Sequence, residues 1–291
     1  TLHEYLAICH HHGKMVTRPA KNLCRASGRL ACQTCFPELQ GEEFDIRKQN
    51  FMEVFDMVDR FVSPSHFLKD RFVAWGLEPE RIEVVENGLL GLAEKLTESE
   101  PRPPVPEGDR VFTIGYFGQI TPFKGVGVLL EAIEKLEAKR KASKTTDFPF
   151  RVRVHGNLVG LEAAFVERFE TLEKKSPMLQ FVGPYANGDV ISLMRACDYV
   201  IVPSQWWENS PVVIQEAYAA GSPVIASNVG GLAEKITDGQ SGLHFRMGDA
   251  DSLLAVLERA CEPGVLEMLQ SGLPHVTDHL GMAGLYNEIF V

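Results

Sequence analysis

Two carboxylates, Glu208 and Glu216, bracket the stretch ENSPVVIQE. The Ser210-Pro211 step inside it reads as a helix start: Ser210 can cap free amides, and Pro211 suits the first helical position, where no amide hydrogen is needed. Glu208 then lies in the loop before the helix and Glu216 in its second turn. The helix sequence, PVVIQEAYAAG, is apolar nearly all round, so it reads as buried, and a buried Glu is uncommon unless paired. One reading has Glu216 satisfied by a core donor and Glu208 solvated. The other gives both acids to a ligand. Carboxylates accept charge-assisted hydrogen bonds from sugar hydroxyls, and free amides around Asn209, Ser210 and Val212 bind phosphate oxygens. A nucleotide sugar carries both groups.

A second chemical cluster lies near the start, in CHHHGKMVTRPAKNLCRASGRLACQTC. Cys32-x2-Cys35 is a zinc half-site; Cys24, with Cys9 or one of His10, His11 and His12, could complete four ligands. A loop of reduced, partly buried cysteines is the plain alternative, and both readings stay open. Residues 5–37 hold five Lys/Arg and no acid. That stripe can face an anionic acceptor, a lipid headgroup or solvent.

The elements that must position these groups are clearest in the second half. Short apolar strands are expected at 111–118, 151–156, 179–183, 199–204, 223–228 and 242–245, alternating with amphipathic helices. In VGVLLEAIEKLEAKRK the apolar residues 126, 129, 130, 133 and 136 share one helical face. Alternation of this kind means a parallel sheet covered on both sides, a doubly wound α/β domain. Ligands meet such a sheet beyond the carboxyl ends of its strands. The loops GQITPFKG, HGN, VGPYANG and QWWENSP all fall there. The first half supplies FVSPSHFLKDRFVAWGL, a strand, capped helix and Gly stop, and then the strand RIEVV. The Pro-rich ESEPRPPVPEGD reads as a linker.

Composition bounds the function. A net charge of -10 lacks the basic footprint of a nucleic-acid binder. No apolar run approaches the ~20 residues of a membrane span. The start, TLHEYLAICHHHG, has neither an initiator Met nor a signal-peptide shape, which suggests an internal start in a longer protein. Cysteine usage in a chain of this size favours a reducing, cytoplasmic compartment, with peripheral contact at the inner membrane face a further expectation.

The motifs YFGQITPFKGVGVLLEA, FVGPY, IVPSQWWENSPVVIQEAYAAGSPVIASNVGGLAE and DGQSGLHF resemble the family 4 retaining glycosyltransferases of GT-B fold (glycosyl transferases group 1). The likeness is strong over 111–262 and looser through PSHFLKDRFVAWG, ENG and TLHEY. It implies a Rossmann-like nucleotide-sugar domain at 110–265 and part of a second, acceptor-side Rossmann-like domain at 1–97. A linker at 98–109 would join them, and a C-terminal segment at 266–291 would turn back toward the N-terminal part. It also implies roles. Glu208 faces the donor sugar, Glu216 grips the ribose, and Lys124 neutralises the diphosphate. His3 reaches the sugar, while Gly183 and Tyr185 pass the base. Gln119 stands where many relatives carry Arg, which removes a cation from the phosphate grip.

The implied reaction moves a hexose from a UDP- or GDP-sugar to a carbohydrate or lipid-linked acceptor, with retention and no catalytic metal. A nucleotide-sugar-binding fragment without turnover is the alternative, and a sugar-nucleotide epimerase of the same fold a weaker one. A dehydrogenase is disfavoured, because GYFGQITPFKG lacks the G-x-G-x-x-G turn.

Overall fold

The structure, a computed structural model, describes residues 1–18, 20–92, 95–96, 111–144 and 149–290. The expected linker at 98–109 lies outside the described residues. The first part of the chain contributes α1 (Arg29–Cys35), α2 (Gly41–Asp56), β1 (Phe61–Ser63), α3 (His66–Trp75) and β2 (Ile82–Val84). The strand, cap and stop read in FVSPSHFLKDRFVAWG all form. Ser65 accepts from the amide of Leu68 at 3.1 Å, and Gly76 ends α3 at φ 129°. β1 and β2 pair in parallel, and α3 crosses over between them. Phe61, Leu68, Phe72, Trp75 and Ile82 form the core beneath, joined by Leu2, Tyr5, Ile8 and Met15 of the N-terminal segment.

The remainder alternates as expected: β3 (Phe112–Phe117), α4 (Val126–Ser143), β4 (Phe150–His155), α5 (Ala163–Lys175), β5 (Leu179–Gly183), α6 (Val190–Arg195) and β6 (Tyr199–Val202). Then come α7 (Val212–Ala219), β7 (Val224–Ser227), α8 (Gly230–Lys235), β8 (Gly242–Phe245), α9 (Ala250–Ala260), α10 (Val265–Ser271) and α11 (His279–Phe290). The six strands from β3 onward form one sheet in the order β5-β4-β3-β6-β7-β8, every neighbouring pair parallel. This is the doubly wound arrangement.

Both faces are covered. One carries α4, α5, α9 and α10 over Val152, Val154 and Tyr199; the other carries α6, α7 and α8 over Val200, Val202 and Val224. The periodic face read in α4 is the buried one: Leu129, Leu130 and Ile133 have no exposure, each burial being worth roughly 1.5–3 kcal/mol. From β3 the chain winds outward through β4 and β5, then returns to β6 on the other side. The loops after β3 and β6 therefore part to opposite faces and leave a crevice between them, the topological switch point where doubly wound sheets bind ligands.

The two parts touch through specific contacts. Glu234 of α8 accepts the first amides of α3, from His66 at 2.9 Å and Phe67 at 2.6 Å, a favourable place for an anion. The amide of Leu89 donates to the Thr277 carbonyl at 3.0 Å, and His279 donates back to Leu89 at 3.1 Å. α11 buries none of its residues, and its Tyr286 hydroxyl meets the Thr1 hydroxyl at 3.2 Å.

Candidate active site

The crevice is set by backbone approach. Gly125 ends the β3 loop at φ 76°, and a Cβ there would lie 1.8 Å from the Pro203 carbonyl oxygen, so only glycine lets the two loops meet. The Gln205 amide donates to the Phe123 carbonyl at 2.7 Å, and the Phe123 and Trp206 rings stack at 5.8 Å and 6°. Lys124 and the Glu208 loop are thereby held face to face.

Glu208 is 8% exposed, and its Oε1 accepts three hydrogen bonds: Lys124 Nζ at 2.7 Å, Ser204 Oγ at 2.8 Å and Trp206 Nε1 at 2.8 Å. The Lys124 ammonium also lies 5.4 Å from the centre of the Trp206 ring. The Glu208 carbonyl accepts from the Gly231 amide at 2.7 Å, and a Cβ on Gly231 would strike the Asn209 carbonyl at 2.1 Å. This buried acid is therefore fixed at backbone and side chain alike. Its three donors leave Oε2 for other partners.

Glu216 differs in kind. It is half-buried in the second turn of α7, and no hydrogen bond reaches its carboxylate among the described residues. Burial raises its carboxyl above the ordinary range, and the Lys95 charge offsets this in part. Tyr185 stands near enough that burial and the Glu216 charge together push its phenol up. The sequence alternative of a satisfied Glu216 and a solvated Glu208 is thus reversed: Glu208 is the buried and bonded acid, and Glu216 the one with bonding capacity left.

Beyond Tyr185 the pocket floor is aromatic. Phe117 stacks on His155 at 4.6 Å and 7°, and Tyr185 turns its edge to both. Burial holds His155 down to about 4, so its ring is neutral at pH 7, and both ring nitrogens are buried without a partner. Gly183, at φ 89°, has open space where a side chain would stand.

The start of α7 departs from the Ser-Pro reading. Pro211 occupies the N-cap position, Val212 is the first helical residue, and no side chain caps the helix. Asn209 Oδ1 accepts the Ser210 amide at 2.6 Å, and the Ser210 hydroxyl is left buried without a partner. The first amides of α7 have no intrahelical acceptor, and they open toward the crevice end of the sheet. Asn209 Nδ2 also donates to the His3 carbonyl, which brings the N-terminal strand to this loop. The His3 and Gln119 side chains are exposed, and the Gln119 carbonyl accepts from the Tyr116 hydroxyl at 2.8 Å.

Several contributors escaped sequence reasoning. Ser204 and Trp206 sit in the quoted VPSQWWENSP, yet nothing local says that both reach Glu208. Trp207 packs at a tilt on Phe67, with ring centres 5.0 Å apart, and donates to the Cys24 carbonyl at 3.0 Å, tying the loop to the cysteine segment. Tyr5 lies under the same loop, its hydroxyl buried without a partner. Burial, with the Glu208 charge behind it, pushes that phenol well up. As the side chains stand, no three His, Cys, Asp or Glu groups among the described residues sit together at metal-holding distance.

Comparison with known proteins follows the same geometry. The profile of the family described as glycosyl transferases group 1 matches residues 98–271. A D-inositol 3-phosphate glycosyltransferase of Corynebacterium kroppenstedtii is 31% identical over 220 residues, covering 72% of this chain and 47% of that protein. Its counterpart in Rhodococcus jostii is 31% identical over 227 residues, covering 74% and 48%. The chain spans about half the length of the curated relatives it matches. Among solved structures, Anabaena HepE in complex with UDP and glucose superposes with a TM-score of 0.61 at 20% identity, over 80% of this chain and 62% of that one. A glycosyltransferase from Rickettsia africae gives 0.65 at 21% identity, over 83% and 66%.

Proposed function

The chain belongs to the glycosyl transferases of group 1, and from that premise we propose that it forms the donor site of an enzyme moving a hexose from a nucleotide-diphosphate sugar to an acceptor hydroxyl. The carrying observation is the Lys124–Glu208 pair, 2.7 Å apart in the crevice between β3 and β6. A cation and an acid at one switch point suit a ligand with a diphosphate beside a sugar.

In this reading the diphosphate lies between Lys124 and the free amides at Val212. Lys124 turns from Glu208 to the phosphate, while Ser204 and Trp206 keep the carboxylate anchored so that Oε2 accepts a sugar hydroxyl. Glu216, with unused acceptors, takes the ribose hydroxyls, and Tyr185 and Gly183 border the base. The bond from the sugar's anomeric carbon to the diphosphate oxygen breaks, and its electron pair leaves with the diphosphate. The acceptor oxygen bonds on the same face, its proton passing to the departing phosphate oxygen, so configuration is retained. Lys124 and the helix amides carry the leaving charge, and catalysis then draws on positioning and preorganised electrostatics rather than a metal ion. Gln119 adds no cation, which leaves Lys124 the larger share.

Solved relatives bound to UDP and UDP-glucose favour a uridine donor over a guanosine one. Acceptors to test are carbohydrates, lipid-linked sugars and inositol phosphates, the last from the names of the curated relatives. Because the chain spans about half of those relatives, ligand binding is the primary readout. Calorimetric titration with UDP, GDP, NAD and UDP-hexoses, with and without EDTA, should give saturable UDP binding that the chelator leaves alone. Binding of NAD alone, or of no nucleotide, would refute the reading.

A further inference from the structure

Within the cysteine segment Cys9, Met15 and Val16 are buried and Leu23 packs on the second core, but the part from Cys24 to Cys35 buries no residue. α1 buries none of its residues and has no side-chain cap, although a helix this short is unstable in water without support. His12, Met15 and Lys21 adopt φ of 50°, 49° and 53°, a strained conformation for residues with a Cβ. An antiparallel bridge between Val16 and Leu23 closes a hairpin, and the Cys24 amide donates to the Met15 carbonyl at 2.8 Å. α1 is tied to α2 by exposed ion pairs from Arg29 to Glu42 at 3.1 Å and Asp45 at 2.7 Å, contacts worth little each.

Four thiols come to this segment from three stretches of chain. Cys9 ends the buried N-terminal turn, Cys24 follows the hairpin, and Cys32 and Cys35 lie one turn apart on α1. All are free thiols. Cys24 is within electrostatic reach of Cys9, Cys32 and Cys35, and Cys32 within reach of Cys9 and Cys35. Two of the neighbouring histidines are engaged elsewhere. His10 packs edge-on against Phe36 and Phe44 at 4.7 and 5.7 Å, and His11 Nδ1 meets the Val16 carbonyl at 3.0 Å. Cys9, which unlike His12 acts on both Cys24 and Cys32, is the fourth member.

We propose that Cys9, Cys24, Cys32 and Cys35 bind a structural zinc ion that clamps this segment. Four thiolates form the closed tetrahedral set of structural zinc sites. Binding releases four thiol protons to solvent and needs no oxidant. The sulfurs must draw inward to reach Zn–S bonds of about 2.3 Å, since they do not yet stand at that spacing. Rotation about χ1 moves a thiol that way without moving its backbone. The zinc–thiolate unit carries two negative charges. Arg47 lies within electrostatic reach of both Cys9 and Cys32, and the four cysteines fall in the acid-free stretch 5–37, although its Arg18 and Arg29 pair with Glu38, Glu42 and Asp45. That basic stripe, which the donor site does not use, thus acquires a role.

The clamp would also support the site. The Cys24 carbonyl receives Trp207 Nε1 at 3.0 Å, the Arg25 carbonyl receives Arg71 Nη1 at 3.0 Å, and Leu23 packs on the core under α6–α8. A strap held by zinc therefore braces the loop that carries Glu208. The zinc itself does not depend on the donor reading, and its test does not measure activity.

Protein purified without added metal should contain close to one zinc per chain, with a sulfur-only first shell by X-ray absorption. Cys32→Ser and Cys35→Ser should each lose most of it. Because such variants can misfold, the parent protein is also stripped with a strong chelator. Its melting temperature should fall, protease should cut within 9–35, and zinc should restore both. Metal-free protein whose four thiols titrate freely, and whose melting ignores zinc, would overturn the proposal. So would iron in place of zinc, or a nitrogen in the first shell.

Discussion

Replacing Lys124 with Met removes the only cation that, among the described residues, bonds the Glu208 carboxylate, which is 9% exposed, and leaves the neutral donors Ser204 and Trp206. Orphaning one member of a fully buried pair costs about 3–5 kcal/mol. Here the lysine side chain is 32% exposed and two donors remain, so about 2 kcal/mol is expected after that discount. For a chain of this size that lowers the melting temperature by about 3 °C. Glu208→Gln should cost less, about 1 kcal/mol or below, because Lys124 can solvate and the amide oxygen still accepts. The double variant Lys124→Met/Glu208→Gln should therefore be more stable than Lys124→Met alone, a coupling that a double-mutant cycle reads directly. Affinity should behave otherwise. UDP should bind roughly 10- to 150-fold more weakly to both variants lacking Lys124, the loss of one charge-assisted contact. Melting curves and calorimetry on all four proteins decide it. If Lys124→Met melts with the parent, or the double variant gains nothing over it, the pair does not carry the buried charge as argued.

Three other outcomes follow from the geometry. Glu216→Gln should weaken UDP binding about tenfold or more. In the parent, UDP affinity should fall with acidification at a pH above the usual carboxylate range, because burial raises this carboxyl and the ribose needs the ionised form; the Gln variant should show no such fall. Burial lowers Lys235 to about 8, so the unfolded chain holds more protons than the native one from there to the ordinary lysine range. Stability should gain a rising component above pH 8 that Lys235→Met abolishes in pH-dependent melting. Gly125→Ala should destabilise by on the order of 3 kcal/mol and abolish UDP binding, since its Cβ meets the Pro203 carbonyl at a positive φ.

The sheet was legible because parallel strands buried on both faces are written as short apolar runs; YVIVPS and PVIASN each contain the fully buried strand that forms, while the edge strand LQFVG leaves Gln180 and Val182 exposed. The switch point followed from their order. What the sequence did not carry was the partner of each polar group. Lys124 and Glu208 are far apart in the chain, and only the Gly125–Pro203 approach brings the ammonium onto the carboxylate. The cap of α7 was misread by one residue: Pro211 takes the N-cap position in an extended conformation and the helix begins at Val212, a boundary shift that propensity does not rank. α1 and α2 went unread because they bury almost nothing: α1 no residue, and α2 only Gly41 and Phe44. His155 was quoted in a loop but gave no sign of its stacking on Phe117, which depends on register between β3 and β4.

The most direct test is amide hydrogen exchange with and without saturating UDP. A nucleotide held between Lys124, the start of α7 and Glu216 should slow exchange in residues 119–125 and 205–212 more than anywhere else in the chain. Unchanged exchange in both loops at saturation, or protection confined to a different surface, would contradict the placement of the donor at this crevice.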